Sequence, residues 1–151
     1  MAIKVAKGIE VSPMAVNNPY QAYRQNQVQT LSQEKLVLML YDGALRFCRQ
    51  GLAAMDKKDY AGVNNNLGRA QDILGELMVT LNRDAGEVAE NLYKLYDFMY
   101  RHLVQANVKK SARMINEVID LLQQLRDTWE EATRIYQTHD YRTRVSTHWQ
   151  G

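Results

Sequence analysis

The stretch of sequence that decides the fold is Leu36-Val37-Leu38-Met39-Leu40-Tyr41-Asp42-Gly43-Ala44-Leu45-Arg46-Phe47. At helical spacing, about 100° per residue, its apolar residues form two ridges. The first ridge contains Leu36, Leu40, Ala44, Phe47 and Gly51, and the second contains Val37, Tyr41, Leu45 and Leu52. Either one face belongs to a core and another holds a partner, or the helix is buried on most sides in a bundle.

The same stretch lies within the first of two consecutive helical patterns. The first helix is predicted to begin after Ser32 and to end near Met55, because the Ser32 hydroxyl can accept a hydrogen bond from a free amide of the first turn. The second helix is predicted from about Tyr60, with apolar residues at steps of three and four: Val63, Leu67, Ala70, Leu74, Leu77 and Leu81.

Two more helical patterns follow. The third is predicted from about Ala85, with Asp84 and Glu87 in a capping-box arrangement. Its apolar positions are Val88, Leu92, Leu95, Met99, Leu103 and Ala106. The fourth is predicted to begin near Ser111 and to end before the polar, basic residues 138–151. Its apolar positions are Ile115, Val118, Leu122, Leu125, Trp129 and Ala132.

Short connections force consecutive helices to run antiparallel. The predicted fold is therefore all-α: an antiparallel up-down four-helix bundle with an additional N-terminal segment or short helix packed across it, together residues 18–137. That segment, Tyr20 to Gln29, follows the turn-forming Asn17-Asn18-Pro19. Residues 1–17 are expected to be a mobile arm, and residues 138–151 a flexible basic tail.

The composition argues against several classes of protein. A formal net charge of +2, with acidic and basic residues interspersed, does not indicate a nucleic-acid-binding protein. No stretch approaches the roughly 20 apolar residues of a membrane span, and no secretory apolar region is recognisable. We therefore expect a cytosolic protein without direct membrane insertion. The single cysteine, Cys48, is expected to be a packing residue.

The histidines and carboxylates do not indicate a metal site. Di-iron bundles use Glu-x-x-His pairs, but no glutamate stands three residues before His102, His139 or His148. Paired carboxylates such as Glu130-Glu131 are typical of exposed helix faces. The chain also lacks a Gly-rich phosphate loop, a nucleophile elbow and a CxxC motif. We predict a protein that is not an enzyme and has no metal or cofactor; a metal-dependent enzyme is the weaker alternative.

Eight short motifs occur in order along residues 18–132. They are Asn18-Pro19-Tyr20-x-x-Tyr23, Val28-x-Thr30, Leu38-Met39-Leu40-Tyr41-Asp42-Gly43-Ala44, Arg69-Ala70-Gln71-x-Ile73-x-x-x-Leu77, Leu81-Asn82-Arg83, Leu95-Tyr96-Asp97-x-Met99, Leu103-Val104-x-Ala106-Asn107 and Arg126-Asp127-x-Trp129. Together they resemble the signature of the FliS family of flagellar export chaperones. Two departures are visible: Gln33 stands where the family usually has proline, and the N-terminal arm is longer.

The resemblance implies a bundle whose surface grooves bind the C-terminal segment of flagellin, which is disordered in the monomer and helical in the filament. Binding masks the surface that drives polymerisation and keeps flagellin ready for export. The resemblance also implies a second partner, the cytosolic domain of the flagellar export-gate protein. The alternative is a dimerising structural or regulatory bundle, and we expect at most a weak homodimer of the chaperone.

The resemblance further implies where the client binds. In the family, the segment around Tyr20, Tyr23 and Val28 lies against the bundle and rearranges when the client binds; a plain hydrophobic staple is the alternative interpretation. On the helices, we expect client contacts at Leu36, Met39, Leu40, Leu67, Ile73, Leu103, Val104 and Asn107. Several of these apolar residues are expected to be core residues instead.

Overall fold

The structure is a computed structural model, and it describes residues 32–150, with side chains through residue 135. This part of the chain forms four α-helices: α1 (Gln33–Asp56), α2 (Tyr60–Thr80), α3 (Glu87–Lys109) and α4 (Ala112–Gln150). Each helix packs against two others, in the cyclic order α1, α2, α3, α4. The predicted all-α antiparallel bundle is confirmed. The predicted N-terminal arm and the segment predicted to pack across the bundle lie outside the described residues.

The first two helices begin at the predicted residues, and a side chain caps each of them. The Ser32 hydroxyl accepts a hydrogen bond from the backbone N–H of Lys35 at 3.3 Å. The Asp59 carboxylate accepts one from the backbone N–H of Gly62 at 3.0 Å, so α2 starts at Tyr60. Each cap satisfies an amide that has no partner within its helix.

The predicted start of the third helix was wrong by two residues. No capping box joins Asp84 to Glu87; instead the side chain of Asn82 caps a short 3-10 turn, Arg83–Ala85, by accepting from the backbone N–H of Asp84. Gly86 follows with a φ of 135°, a conformation that favours glycine. The non-helical conformation of Gly86 separates the 3-10 turn from α3. No side chain caps the first turn of α3.

The predicted end of the fourth helix was also wrong. The backbone of α4 remains helical to Gln150, whereas the polarity of residues 138–151 predicted an end before Thr138. No glycine or proline interrupts Ala112 to Gln150, so the chain contains no strong stop signal there. A separate role for residues 138–151 stays a prediction. None of the described helices is long and apolar enough to cross a membrane.

One apolar core takes side chains from all four helices. Its largest fully buried side chains are Tyr41, Leu67, Leu74, Leu77, Met99, Leu103, Ile115, Leu122, Val63, Val118 and Cys48. Helices α1 and α2 approach closely, because a Cβ atom on Gly51 would lie 2.9 Å from the Leu67 side chain. Glycine at this position therefore lets the two helices pack closely.

Both ridges of α1 face the interior of the bundle. In the second ridge, Tyr41 and Leu45 are buried, and Val37 and Leu52 are half-buried against the core. Helix α1 is covered by α2 on one side and by α4 on the other. It is therefore the helix buried on most sides, and its second ridge is not a free face for a partner.

Candidate functional site

Two tyrosines connect α1 to α3 inside the bundle. The hydroxyl groups of Tyr41 and Tyr96 are 2.5 Å apart and hydrogen-bonded, and both side chains are buried. Burial raises the pKa of both phenols above their usual value. Both hydroxyl groups therefore stay protonated, and one donates to the other. The pair satisfies two polar groups that would be costly to leave unpaired in an apolar core.

Two motif residues of α4 attach it to α1. The indole Nε1 of Trp129 donates to the backbone oxygen of Glu34 at 2.8 Å, and the indole meets the Tyr41 ring edge-on, with centroids 6.5 Å apart. Arg126 Nε donates to the Asp42 carboxylate at 2.8 Å, and this hydrogen bond raises the pKa of Arg126. The motifs that contain these residues therefore hold the α1–α4 seam together.

A cavity of about 200 Å³ opens at the end of the bundle beside this network. It is lined by Gln33, Glu34, Val37, Thr80, Leu81, Leu92, Tyr96 and Trp129. Helix α1 begins at this end, and its first residues, Gln33 and Glu34, belong to the lining. The volume is below the roughly 300 to 1,000 Å³ of small-molecule pockets. It suits one or two side chains rather than a ligand or an extended segment.

The tyrosine pair can be tested by a double-mutant cycle. Tyr96→Phe should lower the free energy of unfolding by about 1 to 3 kcal/mol, because it leaves the Tyr41 hydroxyl buried without its partner. The double variant Tyr41→Phe/Tyr96→Phe should lose less than the sum of the two single variants, since both polar groups are then removed. Urea unfolding of all four proteins measures the coupling. Additive effects would show that the hydroxyl groups do not interact.

Cys48 is buried, and His102 is hydrogen-bonded within the bundle. Burial raises the pKa of the Cys48 thiol to about 12, so the nucleophilic thiolate does not form near neutral pH. His102 Nε2 lies 2.7 Å from a Glu117 carboxylate oxygen, and its ring stacks on Phe98. Among the side chains that the structure describes, no group of three His, Cys, Asp or Glu residues is placed to hold a metal ion.

Helices α2 and α3 pack side by side, and we name the outer surface along their seam the α2–α3 groove. At one end, the Asn107 side chain of α3 donates to Oδ1 of Asn64 on α2 at 2.9 Å. At helical spacing from that contact, the α2 face continues through Gly68, Gln71 and Gly75, and the antiparallel α3 face through Val104, Tyr100, Asp97 and Tyr93. The two faces run side by side for about 16 to 21 Å.

Two glycines leave the α2 wall of this groove open. A Cβ atom on Gly68 or Gly75 would meet no neighbouring atom within 4 Å, so close packing does not require glycine there. A glycine inside a helix costs roughly 0.5 to 1 kcal/mol relative to alanine. Across the groove, Tyr100 and Val104 are each 37% exposed. Apolar side chains beside a flat wall form a surface onto which a partner helix can pack.

The structure divides the predicted site residues into a buried and an accessible group. Five of them are at most 6% exposed and pack in the interior: Leu36, Leu40, Leu67, Ile73 and Leu103. These side chains are buried in this bundle, so their expected surface positions are corrected to core packing. Client binding at these five positions itself stays a prediction.

Three predicted site residues are accessible, and three lie elsewhere in the chain. Val104 is exposed and Asn107 half-buried, both on the α2–α3 groove. Met39 is exposed on α1, outside that groove. Tyr20, Tyr23 and Val28 lie outside the described residues, and their role stays a prediction.

Sequence reasoning missed the open wall of the groove and the exposed Tyr100. A signal for the wall was present, because Gly68 and Gly75 are seven residues apart in an otherwise unbroken helical pattern. Two glycines at that spacing lie on one face, two turns apart. Tyr100 carried no such signal, since aromatic residues occur both in cores and on surfaces.

Comparison with known families identifies the bundle. The family model described as flagellar protein FliS matches residues 16–136. This chain belongs to the FliS family. The match ends at residue 136, whereas α4 continues to Gln150, so the last helical turns lie beyond the part that the FliS model matches.

Curated FliS proteins cover most of the same sequence. The chain is 44% identical over 119 residues to the flagellar secretion chaperone FliS of Bacillus subtilis (strain 168), which covers 79% of this chain and 89% of that protein. It is 35% identical over 116 residues to the chaperone of the same name in Vibrio cholerae, and the match covers 74% of this chain and 85% of that protein. The chain is 33% identical over 118 residues to the FliS chaperone of Escherichia coli (strain K12), and the match covers 74% of this chain and 87% of that protein. The family is one of secretion chaperones, not of enzymes, and the predicted membership is confirmed.

Proposed function

We propose that this FliS-family protein is a cytosolic export chaperone that binds the disordered C-terminal segment of flagellin in the α2–α3 groove. It prevents premature polymerisation of flagellin and delivers it to the flagellar type III export gate. The observation that carries the site is the open groove itself, with Val104 and Tyr100 exposed opposite Gly68 and Gly75. Membership of a family of flagellar secretion chaperones supports the choice of client.

The length of the groove suits a short amphipathic helix, since it accommodates about three to four helical turns. Folding on binding costs a disordered segment about 2 to 5 kcal/mol. At about 25 cal/mol per Å², this cost alone requires the burial of roughly 80 to 200 Å² of apolar surface. Association has further entropic costs, so we expect the client to extend beyond the groove to a second helix surface.

Met39 and the segment before α1 are the proposed extension of this interface. Met39 is exposed on α1, and a methionine side chain adapts readily to different apolar partners. Tyr20 and Tyr23 follow a turn-forming Asn-Pro at helical spacing, with Val28 beyond them. We propose that they form a movable cover on the bundle, because tyrosine combines a large apolar face with a polar tip that meets water.

Delivery requires a contact separate from the client's own. A client that occupies the α2–α3 groove covers that surface, so the loaded complex must present another one. We propose that this second surface docks on the cytosolic domain of the export-gate protein. A weak homodimer is compatible with this arrangement if dimerisation leaves the groove free.

Isothermal titration tests the proposed function. A C-terminal fragment of the flagellin from the same bacterium should bind the full-length chain with one-to-one stoichiometry and should gain helix by circular dichroism. Titration at several temperatures should give a negative heat-capacity change, because apolar surface is buried. Absence of both heat and helix gain at micromolar concentrations would contradict the proposal.

Two controls separate the alternatives. Light scattering of the chain without client, over a range of concentrations, detects a dimer, and a dimer that excludes the flagellin fragment favours the dimerising bundle.

In the isothermal titration with the flagellin fragment, Tyr20→Ala/Tyr23→Ala should change the affinity for the fragment more than it changes the melting temperature. A variant that instead unfolds at low temperature would place the tyrosines in the core.

A further inference from the structure

Four lysines gather at the end of the bundle opposite the cavity. Lys57 and Lys58 form the turn between α1 and α2, and Lys109 and Lys110 lie at the turn between α3 and α4. Both turns lie at the same end, because consecutive helices are antiparallel. Nζ of Lys110 is 5.6 Å from the ring centre of Tyr60, the first residue of α2, so the two turns adjoin. We name this surface the lysine end.

The lysine end has a surplus of positive charge, because four lysines stand there against Asp56 and Asp59. Arg113, in the first turn of α4, is already paired with the Glu117 carboxylate. Asp59 is already engaged as the N-cap of α2. All four lysines are exposed, and among the described residues no carboxylate forms an ion pair with them. Lys110 Nζ donates to the neutral Oδ1 of Asn107 at 2.7 Å, so its charge, like those of the other three lysines, is not neutralised and is available to a partner.

Two of these lysines occupy a backbone conformation that favours glycine. Lys58 has a φ of 58° and Lys110 a φ of 52°. Helices commonly end with glycine in this left-handed conformation, because a side chain is sterically disfavoured there. A cation near a helix C-terminus interacts favourably with the helix dipole, but Lys57 and Lys109 already supply that charge. Both turns thus carry an additional ammonium group where an uncharged glycine would be less strained.

Exposed apolar side chains accompany the lysines. Val108 is 73% exposed, and Tyr60 is 49% exposed beside Lys110. Lysines with exposed aliphatic and aromatic neighbours are typical of proteins that rest on anionic membranes. A lipid surface takes up both kinds of group, because ammonium groups meet headgroup phosphates while apolar side chains enter the headgroup region. The exposed Val108 and Tyr60 therefore favour lipid headgroups over an acidic protein surface.

We propose that the lysine end binds the surface of an anionic phospholipid bilayer. The ammonium groups contact headgroup phosphates, and Tyr60 and Val108 enter the headgroup region, while all helices stay outside the hydrocarbon. Because the bundle rests on its end, its sides stay accessible, including the α2–α3 groove. The proposal does not depend on flagellin binding and is tested without a client.

Vesicle co-sedimentation of the full-length chain tests the proposal. The chain should bind vesicles of phosphatidylglycerol and phosphatidylcholine in equal parts, and it should not bind phosphatidylcholine alone; added salt should weaken binding. Lys58→Gly/Lys110→Gly should weaken vesicle binding roughly 25-fold, because each lysine near an anionic membrane surface strengthens binding about fivefold. The melting temperature of this variant should not fall, because glycine relieves the left-handed positions.

The matched control is Lys35→Gln/Lys94→Gln, which removes two exposed lysines away from the lysine end. Its vesicle binding should stay close to that of the parent chain. Equal losses in the two variants would mean attraction by overall charge, and absence of binding to anionic vesicles would overturn the proposal outright. Capture of the chain by immobilised polyglutamate but not by vesicles would overturn it in favour of an acidic protein partner.

Discussion

Replacing Gly68 with tryptophan should weaken binding of the flagellin C-terminal segment at least about a hundredfold, equivalent to about 2.7 kcal/mol, without lowering the melting temperature. A Cβ atom at this position meets no neighbouring atom within 4 Å, so we expect the folded bundle to accommodate the indole. The indole then fills the part of the α2–α3 groove that the client helix is proposed to occupy. Removing a glycine from the helix also favours folding of α2. Isothermal titration and thermal unfolding by circular dichroism measure the two effects.

The control for this variant is Gln50→Trp. Gln50 is exposed on α1, so the same indole is added away from the α2–α3 groove. Its affinity for the flagellin fragment should stay close to that of the parent chain. If Gly68→Trp binds normally, or if both variants lose binding equally, the client does not use the α2–α3 groove.

The second large effect is loss of the fold in Leu67→Asp. Leu67 is fully buried, and its side chain packs against α1 at Gly51. A carboxylate there is removed from water without a partner, and we expect it to cost more than about 4 kcal/mol. The whole free energy of unfolding of a domain is only about 5 to 15 kcal/mol. Circular dichroism and urea unfolding should show a chain that is unfolded or melts far below the parent.

Val104→Asp is the surface variant with which Leu67→Asp is compared. Val104 is on the surface, so the variant should melt within a few degrees of the parent chain while binding flagellin more weakly. Both Leu67 and Val104 are predicted client contacts, and the two variants separate a core role from a surface role. A well-folded Leu67→Asp protein would contradict the core position of Leu67.

Local signals in the sequence were sufficient to place most helix ends. The Ser32 cap acts through a hydrogen bond within one turn, so it can be read without knowledge of the rest of the fold. The errors arose where one local signal opposed another. The capping-box pattern at Asp84 and Glu87 is interrupted by Gly86, and the polar residues after Thr138 contain no residue that stops a helix before Gly151.

By itself, the sequence determined an all-α bundle and its membership of the FliS family, because periodicity, caps and ordered motifs are properties of short segments. Only the tertiary structure decided which apolar residues are covered. Periodicity gives the direction of a side chain around its helix, but the width of the buried arc depends on the neighbouring helices. Helix α1 has a neighbour on each flank and buries both ridges, so Leu40 became core. Helix α3 lies beside Gly68 and Gly75 of α2, which carry no side chains, and Val104 stays 37% exposed there.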